Sequence, residues 1–260
     1  MHTSAYLSFK AECERLTNLT VLFSHAVPVL RQVLTSPALA AKVPLKPADN
    51  FPHDKSSGPV LLGFANGYDR QLSHLIVLSV FSYFEAYTRG AFQEVFDLQG
   101  GEAAFVTLAR KRATRHWKSS TPDVAEAKRK LQTPERKGKV DKYRKYGRFL
   151  ADRNFAFPPE LFAAYGALQL ARKLQSGGRG ALRAHEIPDV VAEALLLDVS
   201  TADRHAYDDV RQLRNKIAHG GAPNLTVHQA IKKTTFLRQW AGRIDQHIGE
   251  HFLVLAKHAF

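Results

Sequence analysis

A chain of 260 residues, 45% of them hydrophobic, has enough apolar material for a core, which excludes global disorder. The single cysteine, Cys13, excludes an internal disulfide and a cysteine-based zinc site, and it favours a reducing compartment. A net charge of +13 predicts an acidic partner, of which nucleic acid is the most common.

The first third of the chain predicts a helix, a loop and a second helix. Residues 4–34 carry apolar side chains at spacings of three and four, with Pro28 as a candidate kink. Residues 35–68 are rich in Pro, Gly and Ser and predict a long surface loop. The second helix, from Asp69 to Asp97, is apolar on nearly every side, which is typical of a central bundle helix or a subunit interface.

The amino-terminal residues and the apolar runs of the chain predict no secretory signal and no membrane span. Residues 1–10 lack the basic and apolar regions of a secretory signal, and the most apolar run, 75–84, is too short to span a bilayer. We therefore expect a cytoplasmic protein with no membrane partner.

The middle of the chain, 108–158, predicts a basic and partly irregular insertion. From 108 to 148 there are 15 Lys or Arg residues against four acidic ones, so this segment carries about +11 of the +13. Aromatic residues are interleaved with the cations, which is the arrangement that binds single-stranded RNA. The candidate RNA-binding residues are Arg110, Lys111, Arg112, Arg115, Lys142, Arg144 and Lys145. Two alternatives remain open, namely a solvated charged insertion and a contact surface for an acidic protein.

The rest of the chain predicts helices at 160–175 and 188–198, a helix that starts at Ser200 or Thr201 and stops at Gly220, and a last helix from about Leu225 to Ala256. No segment of useful length has the alternating pattern of a strand. The predicted fold class is therefore all-α: one domain over 1–260, built as a bundle of about six to eight helices with a basic insertion.

The helix that begins at Ser200 ends in the string Leu213-Arg214-Asn215-Lys216-Ile217-Ala218-His219-Gly220. Arg is permanently charged and binds phosphate oxygens, and His moves protons near neutral pH, so the pair suits metal-free attack of a ribose 2′-hydroxyl on the adjacent phosphate. In one regular helix Arg214 lies about 140° around from His219, so two copies meeting at a two-fold axis would close the pair better. Ordinary capping of the helix end is the alternative.

This string, together with the stretch FSYFEAY at 81–87, resembles the HEPN superfamily, in particular its bacterial branches near toxin–antitoxin and phage-defence loci. The resemblance covers residues 69–98 and 186–245. It implies a metal-independent homodimeric endoribonuclease without a cofactor, in which Arg214 and His219 are catalytic and Asn215 positions the phosphate. It also implies a toxin or defence effector, controlled by a cognate antitoxin or an activating partner. A non-catalytic HEPN-like module that binds RNA or protein is the alternative.

Two residues are candidate supports for that site. Lys216, with the basic insertion, would attract RNA. Glu85 either pairs with Arg89 one turn along its helix or orients Arg214 or His219. The His247-to-His251 stretch matches the H-x-x-E-H pattern of some metalloproteases, but Gly249 weakens the helix that would hold both histidines, so we predict no metal site.

Overall fold

The computed structural model describes residues 2–42, 58–98, 100–101, 182–195 and 197–251, and the single positions 104, 122 and 126. Within these residues there are six α-helices and no strand, which confirms the predicted all-α class. The helices are α1 (Ser4–Thr35), α2 (Pro37–Lys42), α3 (Gly58–Leu98), α4 (Ile187–Ala194), α5 (Thr201–Ala218) and α6 (Val227–His251), with a 3-10 turn at Ala184–Glu186 before α4.

The central element is α3, as its apolar sequence predicts. It buries side chains on several sides, because α1, α5 and α6 all pack against it. The helix α1 runs antiparallel to α3: Ala5 lies beside Gly90, and Leu34 lies beside Gly58. A Cβ atom at Gly90 would come 3.0 Å from the Cβ of Ala5, so this glycine permits the close approach of the two helices.

Aromatic rings from α3, α5 and α6 meet at the centre of the core. Phe84 stacks on Trp240 with ring centroids 5.5 Å apart, and Tyr207 meets Trp240 edge-on at 5.3 Å. Phe81 also packs against Tyr207, with ring centroids 5.7 Å apart. These contacts fix the position of α5 across the middle of α3.

The amino-terminal residues are held by two carboxylates from distant parts of the chain. The fully buried Asp245 accepts hydrogen bonds from the backbone N–H of Thr3 at 3.1 Å and its hydroxyl at 2.5 Å, and lies 2.6 Å from His2 Nδ1. Glu94 accepts from the first free amides of α1, those of Ser4 and Ala5. The start of α1 is thereby fixed to both α3 and α6.

The predicted loop over 35–68 is wrong where the structure describes it. Residues 37–42 form α2, and α3 begins at Gly58, eleven residues before the predicted start. Prolines occupy the first turn of both helices, at Pro37 and Pro59, where a missing N–H costs no hydrogen bond. Residues 43–57 lie outside the described residues.

Candidate active site

The helix α5 is positioned by the hydrogen bonds of its N-cap and by a buried apolar face. Ser200 is its N-cap: the hydroxyl accepts from the amide of Asp203 at 3.1 Å, and the Asp203 carboxylate accepts from the Ser200 amide at 3.2 Å. Tyr207, Val210 and Ile217 are buried against the core. This face fixes the rotation of α5 and directs Arg214 toward α3.

Among the described residues, three side chains contact the Arg214 guanidinium. Its Nη2 lies 3.5 Å from Glu85 Oε2, and its Nη1 donates a hydrogen bond to Asn215 Oδ1 at 3.0 Å. The guanidinium carbon lies 5.5 Å from the centroid of the Phe81 ring, within the range of a cation–π contact. The side chain is 31% exposed, so part of the guanidinium fork remains accessible to an anion.

Glu85 therefore contacts Arg214, one of the two alternatives that the sequence leaves open. Arg89, the other candidate partner, instead donates a hydrogen bond to the carbonyl of Leu182. The Glu85 side chain is 22% exposed, and a carboxylate in so apolar a helix is stabilised by a cation beside it. The contact joins α3 to α5 at the start of the Arg214-to-His219 segment.

Tyr207 packs in the core next to the candidate site, and the sequence did not predict it as a site residue. It lies seven residues before Arg214, on the same face of α5, and its hydroxyl donates to the carbonyl of Ala184 at 2.7 Å. Burial, and then the nearby charge of Glu85, raise the pKa of Tyr207 well above its usual range. The phenol therefore stays protonated and acts as a fixed donor. A buried aromatic two turns before the motif is the signal that could have identified it.

His219 is the C-cap of α5 and is exposed. The turn after it is a Schellman motif: Gly220 donates to the carbonyl of Ile217 at 3.0 Å, and Gly221 donates to that of Lys216 at 2.8 Å. Gly220 has a φ of +81°, a conformation that side chains disfavour. A Cβ at Gly221 would lie 2.6 Å from the carbonyl oxygen of Lys216. Both glycines are thus required for the turn that presents His219.

The imidazole of His219 and the guanidinium of Arg214 are not joined within one chain. Among the described residues, no hydrogen bond or ion pair engages the His219 ring. Lys216 is exposed in the last turn between them. The structure thus brings together Arg214, Asn215 and Glu85, and it leaves His219 at the adjacent helix end with its ring free for another group.

Several predicted residues fall outside this region. The candidate RNA-binding residues of the basic insertion, from Arg110 to Lys145, lie outside the described residues. Two residues of the H-x-x-E-H stretch contact other groups of the protein. His247 Nε2 lies 2.7 Å from the carbonyl oxygen of Leu195, and Glu250 accepts a hydrogen bond from Gln246. No group of three or more potential metal ligands occurs in the part of the chain that the structure describes.

Comparison of the chain with protein-family models, with curated proteins and with solved structures finds no match. None of the described helices is both long enough and apolar enough to cross a membrane. The fold and the site together define the class: an all-α helical bundle in which an Arg–Glu pair between two core helices lies beside an exposed histidine at a helix end.

Proposed function

We propose that this protein is a metal-independent endoribonuclease of the HEPN type, with a composite active site at a homodimer interface and a role as a toxin or phage-defence effector. The observation that carries the proposal is the environment of Arg214. A guanidinium that is oriented by Glu85, Asn215 and Phe81 and remains partly exposed can hold one phosphate orientation.

The chemistry assigns a separate role to each residue of the motif. Arg214 would stabilise the negative charge that develops on the phosphate when the 2′-hydroxyl attacks. His219, at the carboxyl end of α5, would move the proton. The Asn215 side-chain amide would position the scissile phosphate while its oxygen holds Arg214.

A second copy of the chain would complete this site. His219 and Arg214 project about 140° apart from one regular helix, and the His219 ring has no partner among the described residues. Across a two-fold axis, His219 of one copy and Arg214 of the other would contact the same phosphate.

The test is cleavage of purified RNAs in excess EDTA by the wild type, His219→Ala and His205→Ala. His205 is the matched control because it is also exposed on α5, near the opposite end of the helix. We expect the wild type and His205→Ala to cut equally and to leave 2′,3′-cyclic phosphate ends. We expect His219→Ala to be slower by roughly a hundredfold or more.

Equal cutting by all three proteins would contradict the residue assignment. If none of the proteins cuts RNA but all bind it, the non-catalytic binding module becomes the better interpretation. An activity abolished by EDTA and restored by a divalent ion would contradict the metal-independent mechanism.

A further inference from the structure

A pocket of about 420 Å³ lies between α5 and α6, apart from the contacts of Arg214. Ala206 and Asp209 line it from α5, and Lys232, Lys233 and Phe236 line it from α6. Pockets that hold small molecules have volumes of about 300–1,000 Å³, so one nucleotide-sized ligand would fit. Neither Arg214 nor His219 lines this pocket, so it is separate from the candidate active site.

The two lysines of the pocket have no acidic partner among the described residues. Both are exposed, and no Asp or Glu stands three or four positions from either of them along α6. The arginines of α5 and α6, in contrast, all donate hydrogen bonds to other groups of the protein. Two adjacent ammonium groups without a counter-ion repel each other, and an anion such as a phosphate would relieve that repulsion.

Phe236 gives the pocket an aromatic wall whose orientation is fixed. Its ring stacks on Trp240 with centroids 5.6 Å apart and an angle of 27° between the planes. Trp240 is fully buried and stacks in turn on Phe84, so the core holds Phe236 in place from one side. On the α5 side of the pocket, the small side chain of Ala206 leaves room for a flat ring. A nucleobase can stack on such an aromatic wall.

Asp209 adds an exposed carboxylate to the same pocket. The other two acidic residues of α5 form ion pairs, Asp203 with Arg243 and Asp208 with Arg211. Asp209 has no such pair in the part of the chain that the structure describes. Its two oxygens can therefore accept hydrogen bonds from a ligand.

A carboxylate beside an aromatic wall discriminates between the bases. The Watson–Crick edge of guanine presents two neighbouring donors, N1–H and N2–H, which match the two oxygens of one carboxylate. In adenine and cytosine the amino group lies beside a ring nitrogen that accepts, and in uracil the N–H lies between two carbonyls. A carboxylate repels those acceptors, so Asp209 favours guanine.

We propose that the pocket between α5 and α6 binds a guanosine phosphate. Phe236 stacks on the base, Asp209 accepts from its N1–H and N2–H, and Lys232 and Lys233 bind the phosphate. Two sources supply this chemistry, namely a guanosine within an RNA strand and a free guanine nucleotide.

The exposed side of α5 connects the pocket to the candidate active site. Asp209, Gln212, Lys216 and His219 are exposed and recur at intervals of three and four residues. His219 is ten residues beyond Asp209, which is about 15 Å along the helix axis. A guanosine of an RNA strand held in the pocket would fix the position of the strand relative to His219. This consequence rests on the proposed function, whereas the binding itself does not.

The first experiment is isothermal titration calorimetry of the full-length protein with GMP and with IMP, which differs from GMP only in lacking the 2-amino group. We expect GMP to bind about tenfold more tightly than IMP, because IMP cannot make one of the two hydrogen bonds to Asp209. Equal affinities would overturn the role of Asp209. No binding of GMP at millimolar concentration would overturn the pocket itself.

Two pairs of variants locate the binding. Asp209→Asn should lower the affinity for GMP to that for IMP, whereas its control Asp208→Asn, which changes the next residue outside the pocket, should not. Lys233→Gln should weaken GMP binding several-fold, whereas Lys10→Gln removes the same charge from an exposed lysine on α1 and should have no effect. Equal effects of a variant and its control would overturn the placement. All four side chains are partly or fully exposed, so circular dichroism should show unchanged folding.

The source of the guanosine is distinguished with RNA whose 2′-hydroxyls are methylated, so that it cannot be cleaved. A single guanosine in such an oligouridine should increase its affinity, and Asp209→Asn should remove the increase. That result assigns the pocket to RNA. GMP binding that this RNA does not displace assigns the pocket to a free nucleotide.

These measurements separate the pocket from the proposed function. Guanosine binding by a protein that cuts no RNA would support the pocket and contradict the proposed function. RNA cleavage by a protein that binds neither GMP nor guanosine in RNA would contradict the pocket alone.

Discussion

Arg214 is held by several weak contacts whose combined effect is orientation. The Glu85 oxygen is 3.5 Å away and both partners are partly exposed, so the ion pair adds at most about 1 kcal/mol to stability. The Phe81 ring and the Asn215 amide restrict the same guanidinium from two other sides. These contacts therefore orient the Arg214 guanidinium but contribute little to the free energy of unfolding.

We predict that Glu85→Gln lowers kcat for RNA cleavage by roughly ten- to a hundredfold while changing the free energy of unfolding by less than about 1 kcal/mol. KM should change less than kcat, because the phosphate charge is still met by Arg214. Glu85→Asp should recover part of the loss. The control is Glu12→Gln, which removes an exposed ion pair with Arg15 on α1; an equal loss of activity there would contradict an orienting role.

The sequence predicted which residues form the candidate site better than it predicted which of them are in contact. It identified Arg214, Asn215 and Glu85, which the structure brings together, but it could not choose between Arg89 and Arg214 as the neighbour of Glu85. An i,i+4 spacing permits a pair within one helix, and a contact between two helices depends on how they pack. Tyr207 was missed for the same reason, since its role depends on the burial that α3 and α6 provide.

At the scale of the element, α5 shows how a helix start can be fixed by charge. Partial burial acts to raise the pKa of Asp203, but hydrogen bonds from Arg243 and Ser200, and the charge of Arg243, lower it overall. The Arg243 Nη2 lies 2.6 Å from Asp203 Oδ1, so this carboxylate links the first turn of α5 to α6. The ionised form of Asp203 therefore stabilises the folded state.

We predict that Asp203→Asn lowers the free energy of unfolding by about 1 kcal/mol at pH 7. A depressed pKa in the folded state means that the stabilisation is complete above the unfolded-state value, near 4, and is lost as the pH falls through the folded-state value. The difference between variant and wild type should therefore shrink in acid, as measured by urea unfolding from pH 7 to pH 2.5. Asp209→Asn, which changes an exposed carboxylate on the same helix, is the control; a difference that grows in acid would contradict the assignment.

The helix boundaries show what local signals can and cannot predict. The Ser200 cap and the glycines after His219 have local causes, and both ends of α5 were predicted correctly. The start of α3 was not, because Gly58, Pro59, Gly63 and Gly67 suggest a loop. Packing against α1 overrides those preferences: Leu61, Ala65, Tyr68 and Leu72 continue the three-and-four spacing of the later helix, and Ala65 and Leu72 are buried.

At the scale of the whole molecule, stability depends on the ring cluster where three helices meet. Trp240 is fully buried and contacts Phe84, Tyr207 and Phe236. Its Nε1 is buried without a hydrogen-bond partner among the described residues. The contribution of Trp240 is therefore one of apolar packing.

We predict that Trp240→Ala lowers the free energy of unfolding by about 3–5 kcal/mol. Trp240→Phe should cost much less, because it keeps a stacking ring and removes an unsatisfied N–H. Ile231→Ala, an exposed apolar position on the same helix, should change stability by about 0.5 kcal/mol or less. Circular dichroism is the appropriate measurement, since the chain has only two tryptophans and fluorescence would lose a reporter. Equal effects of the two alanine variants would contradict this account of the core.

The all-α class and the central place of α3 followed from the absence of alternating segments and from a helix that is apolar on nearly every side. Which helices cover α3 did not follow. An apolar stripe shows that a face is buried but does not identify its neighbour. The pairing of α1 with the full length of α3 becomes visible only in contacts such as Ala5 with Gly90 and Leu34 with Gly58.

The contact of Thr3 with Asp245 also has a consequence for the order in which the protein is made. The two residues are 242 positions apart, so α1 leaves the ribosome long before the carboxylate that receives its amino-terminal end. The pair of α1 and α3 must wait, with the side of α3 that faces Trp240 uncovered, until α6 is synthesised. A nascent chain that stops before α6 would expose the rings of Phe84 and Tyr87 to water, which makes unfinished copies natural substrates for chaperones and proteases.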